Sequence, residues 1–330
     1  MLEHGGQLRR AAARLRIPLP DWLDLSTGIN PQGWPVPPLP ASVWQRLPEA
    51  GDGLEAAAAT YYGNPDGLAV AGSQAALQQL PALLPRAAVA CLMPLYEEHP
   101  QAWARAGHTV HQVVDTAVDD ALATGARHVL LCNPNNPTAA RHRRADLLAA
   151  AARLQAGDGW LIVDEAFIDA TPDESLAALA GTAAAANLVV LRSLGKFFGL
   201  AGVRAGFVFG AAGLRDRLGE MLGPWSVSGP ARAVARLALQ DAAWQAVARV
   251  RLQAASLRLQ ALLAPFGSVT TCALFATLQS PRAGELHEHL ARSAILTRRF
   301  EQPSLLRIGL PGDETGWQRL GTALDTWSRP

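Results

Sequence analysis

Of the 29 basic residues counted as lysine plus arginine, one is a lysine: Lys196, within "RSLGKFFGLAGVRAG" (192–206). An arginine guanidinium is never deprotonated in a protein, whereas a lysine amine loses its proton once buried or set beside other cations. A lysine surviving in so arginine-rich a chain suits chemistry that needs a neutral amine, above all imine formation with a carbonyl. Chance could also leave one lysine, so the weight lies in its surroundings. "WLIVDEAF" (160–167) ends an apolar run on Asp164, which reads as a buried, partnered acid. "NPNNPT" (133–138) is a turn carrying the amide of Asn136. Gly72-Ser73-Gln74 follows one apolar run and opens a helix-like segment, where first-turn N–H groups can face an anion.

The elements that position these groups follow from hydrophobic patterning. Apolar runs at 67–72, 87–93, 108–114, 126–133, 159–166, 187–193 and 203–210 alternate with helix-like segments such as 73–84 and 145–157. Near-continuous Val/Leu/Ile strands separated by helices predict an α/β protein with a mostly parallel seven-stranded sheet covered on both faces. Residues 214–264 read as long helices interrupted near "GPWSVSGP" (223–230). Beyond them, "VTTCALFATL" (269–278) and "SLLRIGLP" (304–311) read as strands of a smaller α+β domain. The expected division is a large domain over 43–222 and a small one built from 1–42 and 223–330, with the Pro-rich 30–42 as a crossing. In an open parallel sheet, ligands sit beyond the carboxyl ends of the strands. Gly72-Ser73, Asn133–Thr138, Asp164 and Ser193–Lys196 all fall there.

Composition excludes several classes. A net charge of +1 carries no nucleic-acid or membrane-surface footprint. With 49% hydrophobic residues, the 330-residue chain can bury a large core. Cys91, Cys132 and Cys272 lie far apart with no CxxC pairing, so they read as core residues in a reducing compartment and not as a metal or disulfide set. The opening "MLEHGGQLRRAAARLRIPLP" has no signal-like apolar run, and no later run spans a bilayer, so a cytoplasmic protein is expected.

Lys196 in "SLGKFFGLAGVRAGF", Asp164 in "VDEAF" and Asn136 in "NPNNPT" resemble, in order and spacing, the fold-type I pyridoxal-phosphate enzymes, the aspartate-aminotransferase superfamily. The resemblance runs across nearly the whole chain. It implies that Lys196 holds pyridoxal 5'-phosphate covalently and then moves protons, that Asp164 faces the pyridine nitrogen, and that Asn136 bonds the phenolic oxygen. It implies a phosphate cradle of Gly72, Ser73, Gln74, Ser193 and Arg204, with Tyr96 stacked on the ring and His99 behind Asp164. Arg307 matches a carboxylate-binding arginine, and Arg298-Arg299 could meet a second anion. No metal is implied, and a homodimer is. Three positions depart from the pattern: Gly195 replaces a common hydroxyl residue, Phe167 a tyrosine, and Leu47 a tyrosine that reaches the neighbouring subunit.

The N-terminus narrows the resemblance. "EHGGQLRRAAARL" followed by "WLDLSTGINPQG" is similar to the opening of the threonine-phosphate decarboxylases of cobalamin biosynthesis. That implies decarboxylation of O-phospho-L-threonine to (R)-1-aminopropan-2-yl phosphate, with His4, Gly5, Gly6 and Asn30 at the substrate. A histidinol-phosphate-type aminotransferase shares every core motif and is the alternative; a non-catalytic partner in a cobalamin-pathway complex is the second. The residues do not choose between losing C–H and losing C–COO⁻.

Overall fold

The structure, a computed structural model, describes residues 4–114 and 117–327. In chain order its helices are α1 (Leu8–Leu15), α2 (Ser42–Gln45), α3 (Leu54–Tyr62), α4 (Ser73–Leu83), α5 (Glu98–Arg105), α6 (Val118–Ala123), α7 (Arg144–Gln155), α8 (Ala212–Leu222), α9 (Gly229–Gln240), α10 (Ala242–Leu263), α11 (Ala283–Arg292) and α12 (Glu314–Asp325). Its strands are β1 (Leu23–Asp24), β2 (Leu68–Val70), β3 (Ala88–Met93), β4 (Thr109–Val114), β5 (His128–Cys132), β6 (Trp160–Asp164), β7 (Leu188–Ser193), β8 (Gly206–Phe209), β9 (Ser268–Cys272), β10 (Phe275–Gln279), β11 (Ile295–Leu296), β12 (Arg298–Phe300) and β13 (Leu305–Gly309).

The chain divides into two units. The larger comprises Trp34–Asn136 and Arg141–Ala246; the smaller comprises the described residues up to Gly33, Pro137–Ala140 and those from Val247 onward. The larger unit carries a seven-stranded sheet in the order β2-β8-β7-β6-β5-β3-β4. Its strands pair in parallel except β8, which runs antiparallel to both β2 and β7. All seven predicted runs are strands of this sheet. "HVLLC" and "LVVLRS" are buried along their whole length, as parallel strands flanked by helices on both faces must be. On one face Val70, Val89, Leu130, Ile162 and Leu191 pack with Leu77 and Leu80 of α4, Trp103 of α5 and Leu218 of α8. Each such leucine contributes about 1.5–3 kcal/mol by leaving water.

The expected boundary at 222/223 lies instead at 246/247, so α9 belongs to the larger unit. α9 buries Ala231, Val234, Ala235, Ala238 and Leu239 and adds an ion pair. Arg232 on α9 reaches Asp52 at 2.7 Å and Glu55 at 2.8 Å, tying α9 to the start of α3. That pairing spans some 180 residues of sequence and leaves no local pattern.

The smaller unit contains an antiparallel sheet, β12-β13-β10-β9, and a parallel pair, β1-β11. "VTTCALFATL", read as one strand, is a hairpin: Cys272 faces Phe275 across a turn at Ala273-Leu274. No Gly, Asn or Pro marks the turn, and both turn residues are buried apolar side chains, so the run looks continuous in sequence.

Beneath α5, Trp103, His108 and His128 form a buried cluster, with centroids 4.5 Å apart for Trp103–His108 and 5.7 Å for His108–His128. Burial, with His108 and Arg127 nearby, lowers the His128 pKa from its ordinary 6.5. The unfolded chain then takes up a proton that the folded chain refuses, so the stability is fully present above pH 6.5 and is lost as pH falls through the lowered value. Thermal melts between pH 7.5 and about 5 are expected to show Tm falling with acidification, with a shallower slope in His128→Gln.

Candidate active site

The sheet brings the sequence-predicted groups of the larger unit to one edge. Asp164 ends β6 and is 6% exposed. Its Oδ2 lies 2.8 Å from His99 Nε2 on α5, and its Oδ1 accepts the Ala166 N–H at 3.0 Å. Cys132, its register partner on β5, completes a buried group whose ligand-type atoms all lie within 4.8 Å of one another. Lys196 follows β7 in a tight turn, its Nζ 5.5 Å from the centroid of the Phe167 ring. Asn136 lies in the loop after β5. That loop is clamped internally, with Asn133 Nδ2 donating to the His142 carbonyl and Asn133 Oδ1 accepting the His142 N–H. It is tied to the end of β3 through Asn135 Nδ2 and the Pro94 carbonyl at 3.0 Å.

Tyr96 donates to Gln74 Oε1 at 3.2 Å. Burial, then Glu98 and Asp164, push its phenol up to about 12, while Arg204 opposes them, so the ring lies within the field of both the acid and the cation. The Gln74 amide is also within reach of Glu98 at 3.4 Å. Its side chain thus supports Tyr96, leaving its backbone N–H as the group it offers an anion.

Around the start of α4 the geometry is that of an anion cradle. Gly72 is the N-cap, at φ +73°, and no side chain caps the helix. A Cβ at Gly72 would lie 2.6 Å from Arg204 Nη2, so the absence of a side chain is what lets the guanidinium approach the helix N-terminus. A Cβ at Gly206 would lie 2.9 Å from the Ser73 nitrogen and 2.5 Å from the Arg192 carbonyl, so β7, β8 and α4 meet where only glycine fits. Ser193, at the end of β7, accepts the Gly195 N–H at 3.2 Å. A Cβ at Gly195 would lie 3.2 Å from Ala201 Cα, a close approach that a small shift would relieve.

Sequence reasoning missed a second cluster. Arg192 is buried, donates to Glu165 Oε2 at 3.3 Å, to Ser175 Oγ at 2.8 Å and to Asp169, and lies 4.6 Å from the Tyr62 ring. Tyr61 donates to the same Asp169 oxygen at 2.9 Å. Burial raises the Glu165 pKa, with Arg192 drawing it back. A charge inside "LVVLRS" was the available signal.

In the smaller unit, Arg298 and Arg307 are register partners on β12 and β13 and share a face. Burial first, and Arg298 next, pull Arg307 down to about 10. Two adjacent guanidiniums are strained electrostatically until an anion joins them. Arg299 alternates to the other face, packs against Gly284 and lies 3.5 Å from Glu301. Arg307 donates to the Ser26 carbonyl at 2.7 Å. Gly6 N–H donates to Ser26 Oγ at 2.7 Å, and a Cβ at Gly5 would lie 2.3 Å from the Ser26 carbonyl oxygen. Ser26, unremarked in sequence, thus joins the Gly5-Gly6 segment to Arg307. His4 is exposed. Asn30 is buried and belongs to the same unit.

The larger unit's set fits pyridoxal phosphate: an uncapped helix N-terminus with a cation held against it, a buried acid with a histidine behind it, and an amine on the turn that follows β7. Residues 48–324 match the family described as aminotransferase class I and II, and the chain belongs to that family. It is 52% identical to the threonine-phosphate decarboxylase of Pseudomonas aeruginosa, over 100% of this chain and 99% of that one. It is 41% identical to the threonine-phosphate decarboxylase of a Sinorhizobium species, over 97% of each. Its fold is similar to the L-threonine-O-3-phosphate decarboxylase crystal structure from Porphyromonas gingivalis, with TM-score 0.76, 21% identity, and coverage of 92% of this chain and 98% of that one.

The cradle has a direct check. In Gly72→Ala the new methyl both crowds Arg204 and must adopt a left-handed backbone at a cost of about 1–2 kcal/mol, so pyridoxal phosphate affinity is expected to fall about tenfold. Fluorescence titration of the apoprotein reads this; an unchanged Kd would remove Gly72 and Arg204 from the cradle.

Proposed function

We propose that this chain is a pyridoxal-phosphate-dependent lyase that decarboxylates O-phospho-L-threonine to (R)-1-aminopropan-2-yl phosphate, a step of cobalamin biosynthesis. The observation that carries the reading is full-length identity of 52% to a threonine-phosphate decarboxylase, joined to a buried Asp164–His99 pair and the lone lysine near Phe167. When bound, pyridoxal phosphate supplies an aldehyde for the substrate amine and a ring that accepts the electron pair left on Cα.

The chain's own residues do the rest. Gly72, Ser73 and Gln74 present backbone N–H groups to the cofactor phosphate, with Ser193 and Arg204 beside them. Asp164, oriented by His99, keeps a proton on the ring nitrogen. Asn136 would bond the phenolic oxygen, and Tyr96 would stack on the ring. In decarboxylation CO₂ leaves and a proton must reach Cα; Lys196 Nζ delivers it. Arg298 and Arg307 hold the substrate's anionic ends, with His4, Gly5, Gly6 and Asn30. Arg299, on the opposite face of β12, takes a surface role.

The active form is a homodimer, to which the exposed Val36, Trp44, Leu47, Met221 and Trp225 of the larger unit are suited. Leu47, 62% exposed, offers an apolar contact where relatives place a tyrosine. The buried cysteines Cys91, Cys132 and Cys272 form no disulfide among themselves, which suits a cytoplasmic protein. Among the described residues no helix is long and apolar enough to cross a membrane.

Purified protein given pyridoxal phosphate and O-phospho-L-threonine is expected to release CO₂ and retain the amine in the product. Lys196→Ala and Lys196→Arg should both lose activity by about 10²–10⁴-fold or more, because neither side chain can cycle a proton or bond covalently to an aldehyde. Amino transfer to 2-oxoglutarate in place of CO₂ release would mark a histidinol-phosphate-type aminotransferase. Failure to bind pyridoxal phosphate at all would mark a non-catalytic partner.

A further inference from the structure

The long helix α10 is apolar on two opposite faces. Ala248, Leu252, Leu259 and Leu263 recur at the spacing of one helical face and are buried. On the other side stand Val247, Val250, Ala254, Leu257 and Ala261, every one exposed, Val250 to 74%. A surface helix ordinarily turns charged side chains outward; this one turns an apolar row outward. Among the described residues, the exposed large hydrophobic side chains not already assigned to the dimer are Val247, Val250 and Leu257 of this row and Val114.

The spacing of the row is specific. From Val247 to Ala261 it steps by three, four, three and four residues, the a and d positions at which one helix takes the side chains of another in a coiled coil. The flanks are equally ordered. Arg251 and Arg258 fall at e, Gln253 and Gln260 at g, and α10 carries no carboxylate of its own. Glu314 answers Arg258 at 2.7 Å. Arg251 donates instead to Asn30 Oδ1, Gln32 Oε1 and the Gln32 carbonyl, all of them neutral oxygens. Its positive charge therefore stands beside the row with no acid set against it.

Size and charge select what covers the row. It is about 20 Å long and one helix wide, far short of the roughly 800 Å² that each partner gives up in a stable complex. A single helix laid along it fits those dimensions, and a permanent pairing of whole subunits does not. A second copy would also bring no acid. Antiparallel, it sets arginine against arginine; parallel, arginine against glutamine. Helices that lie on anionic membranes carry a broad apolar face with Trp or Phe, and this narrow row has neither.

We propose that the outer face of α10 is a docking site for an acidic amphipathic helix of another protein. Apolar side chains of the partner seat between Val247, Val250, Leu257 and the two small alanines, and its flanking carboxylates meet Arg251.

Fluorescence anisotropy of a labelled helical peptide about three heptads long, with Leu at a and d and Glu at e and g, tests this on the full-length protein. Saturable binding is expected, and placing Lys for every Glu should weaken it about tenfold or more. Val250→Gln/Leu257→Gln should weaken the Glu peptide by a similar factor, and Arg251→Gln should narrow the gap between the two peptides. Absence of binding by the Glu peptide, or equal binding of both, overturns the proposal; each is read on wild type, so no variant's folding enters. Undiminished binding to the Val250→Gln/Leu257→Gln protein overturns it as well. Sedimentation of wild type as a larger species than this double variant would mean that a second copy covers the face. Cosedimentation with phosphatidylserine vesicles that the double variant loses would mean that a membrane does. Either result overturns the proposal.

Discussion

The structure depends on one buried cation. Arg192 stands on β7, its side chain 2% exposed, among the carboxylates of Glu165 and Asp169, the Ser175 hydroxyl and the face of Tyr62. Side chains alternate along a strand, so Arg192 and Ser193 point to opposite faces of β7, and Asp164 and Glu165 to opposite faces where β6 ends. One residue of each pair faces the chemistry while the other is locked into the charge cluster behind it. A buried carboxylate without a cation would protonate or seek water, and Arg192 prevents both by binding two of them. The ends of β6 and β7 are thereby held in register where Asp164 and Lys196 must keep a fixed separation. Truncating the guanidinium would strand two carboxylates at a cost of about 3–5 kcal/mol.

The phosphate cradle solves a related problem with space in place of charge. β8 runs antiparallel to its neighbours, so the chain returns at Arg204 to the end of the sheet where α4 begins. Arg204 itself takes a left-handed backbone, φ 57°, at this return. Two glycines make the approach possible: Gly72 leaves room for the guanidinium, and Gly206 lets β7, β8 and α4 touch. A helix N-terminus is a weak anion site by itself, and a guanidinium held against it adds the charge-assisted bonds that make it specific.

While β4, a partly exposed edge strand, carries His and Gln among its valines, most of the seven strands were legible because they are buried and read as apolar runs. The hairpin at Ala273-Leu274 was illegible for the same reason: its turn is buried too and carries no turn residue. The 246/247 boundary was hidden because the packing of α9, like its Arg232 ion pairs, joins residues far apart in sequence. Within the site, Lys196, Asp164 and Asn136 could be picked out by residue type and position after a strand. Arg192 and Ser26 could not, because each bonds another residue and carries no motif of its own. Arg298 and Arg299 were indistinguishable as letters; the register of β12 against β13 separates them, placing Arg298 beside Arg307.

The division of labour between the two basic side chains then has a physical basis. Arg307 is drawn down by burial and by Arg298 to about 10, and at neutral pH it still carries its charge. The same surroundings acting on an ammonium, whose ordinary pKa is about 10.4, would leave it a narrower margin above neutral pH than the guanidinium keeps. If 204, 298 and 307 hold anions as proposed, a guanidinium there supplies forked, paired donors that an ammonium does not. Under the proposed reaction the requirement at 196 is opposite: the nitrogen must give up its proton to bond a carbonyl carbon and regain it to return it to substrate. Only lysine does that. A chain whose composition drives basic positions toward arginine therefore retains lysine at the one place where permanence of charge would abolish function.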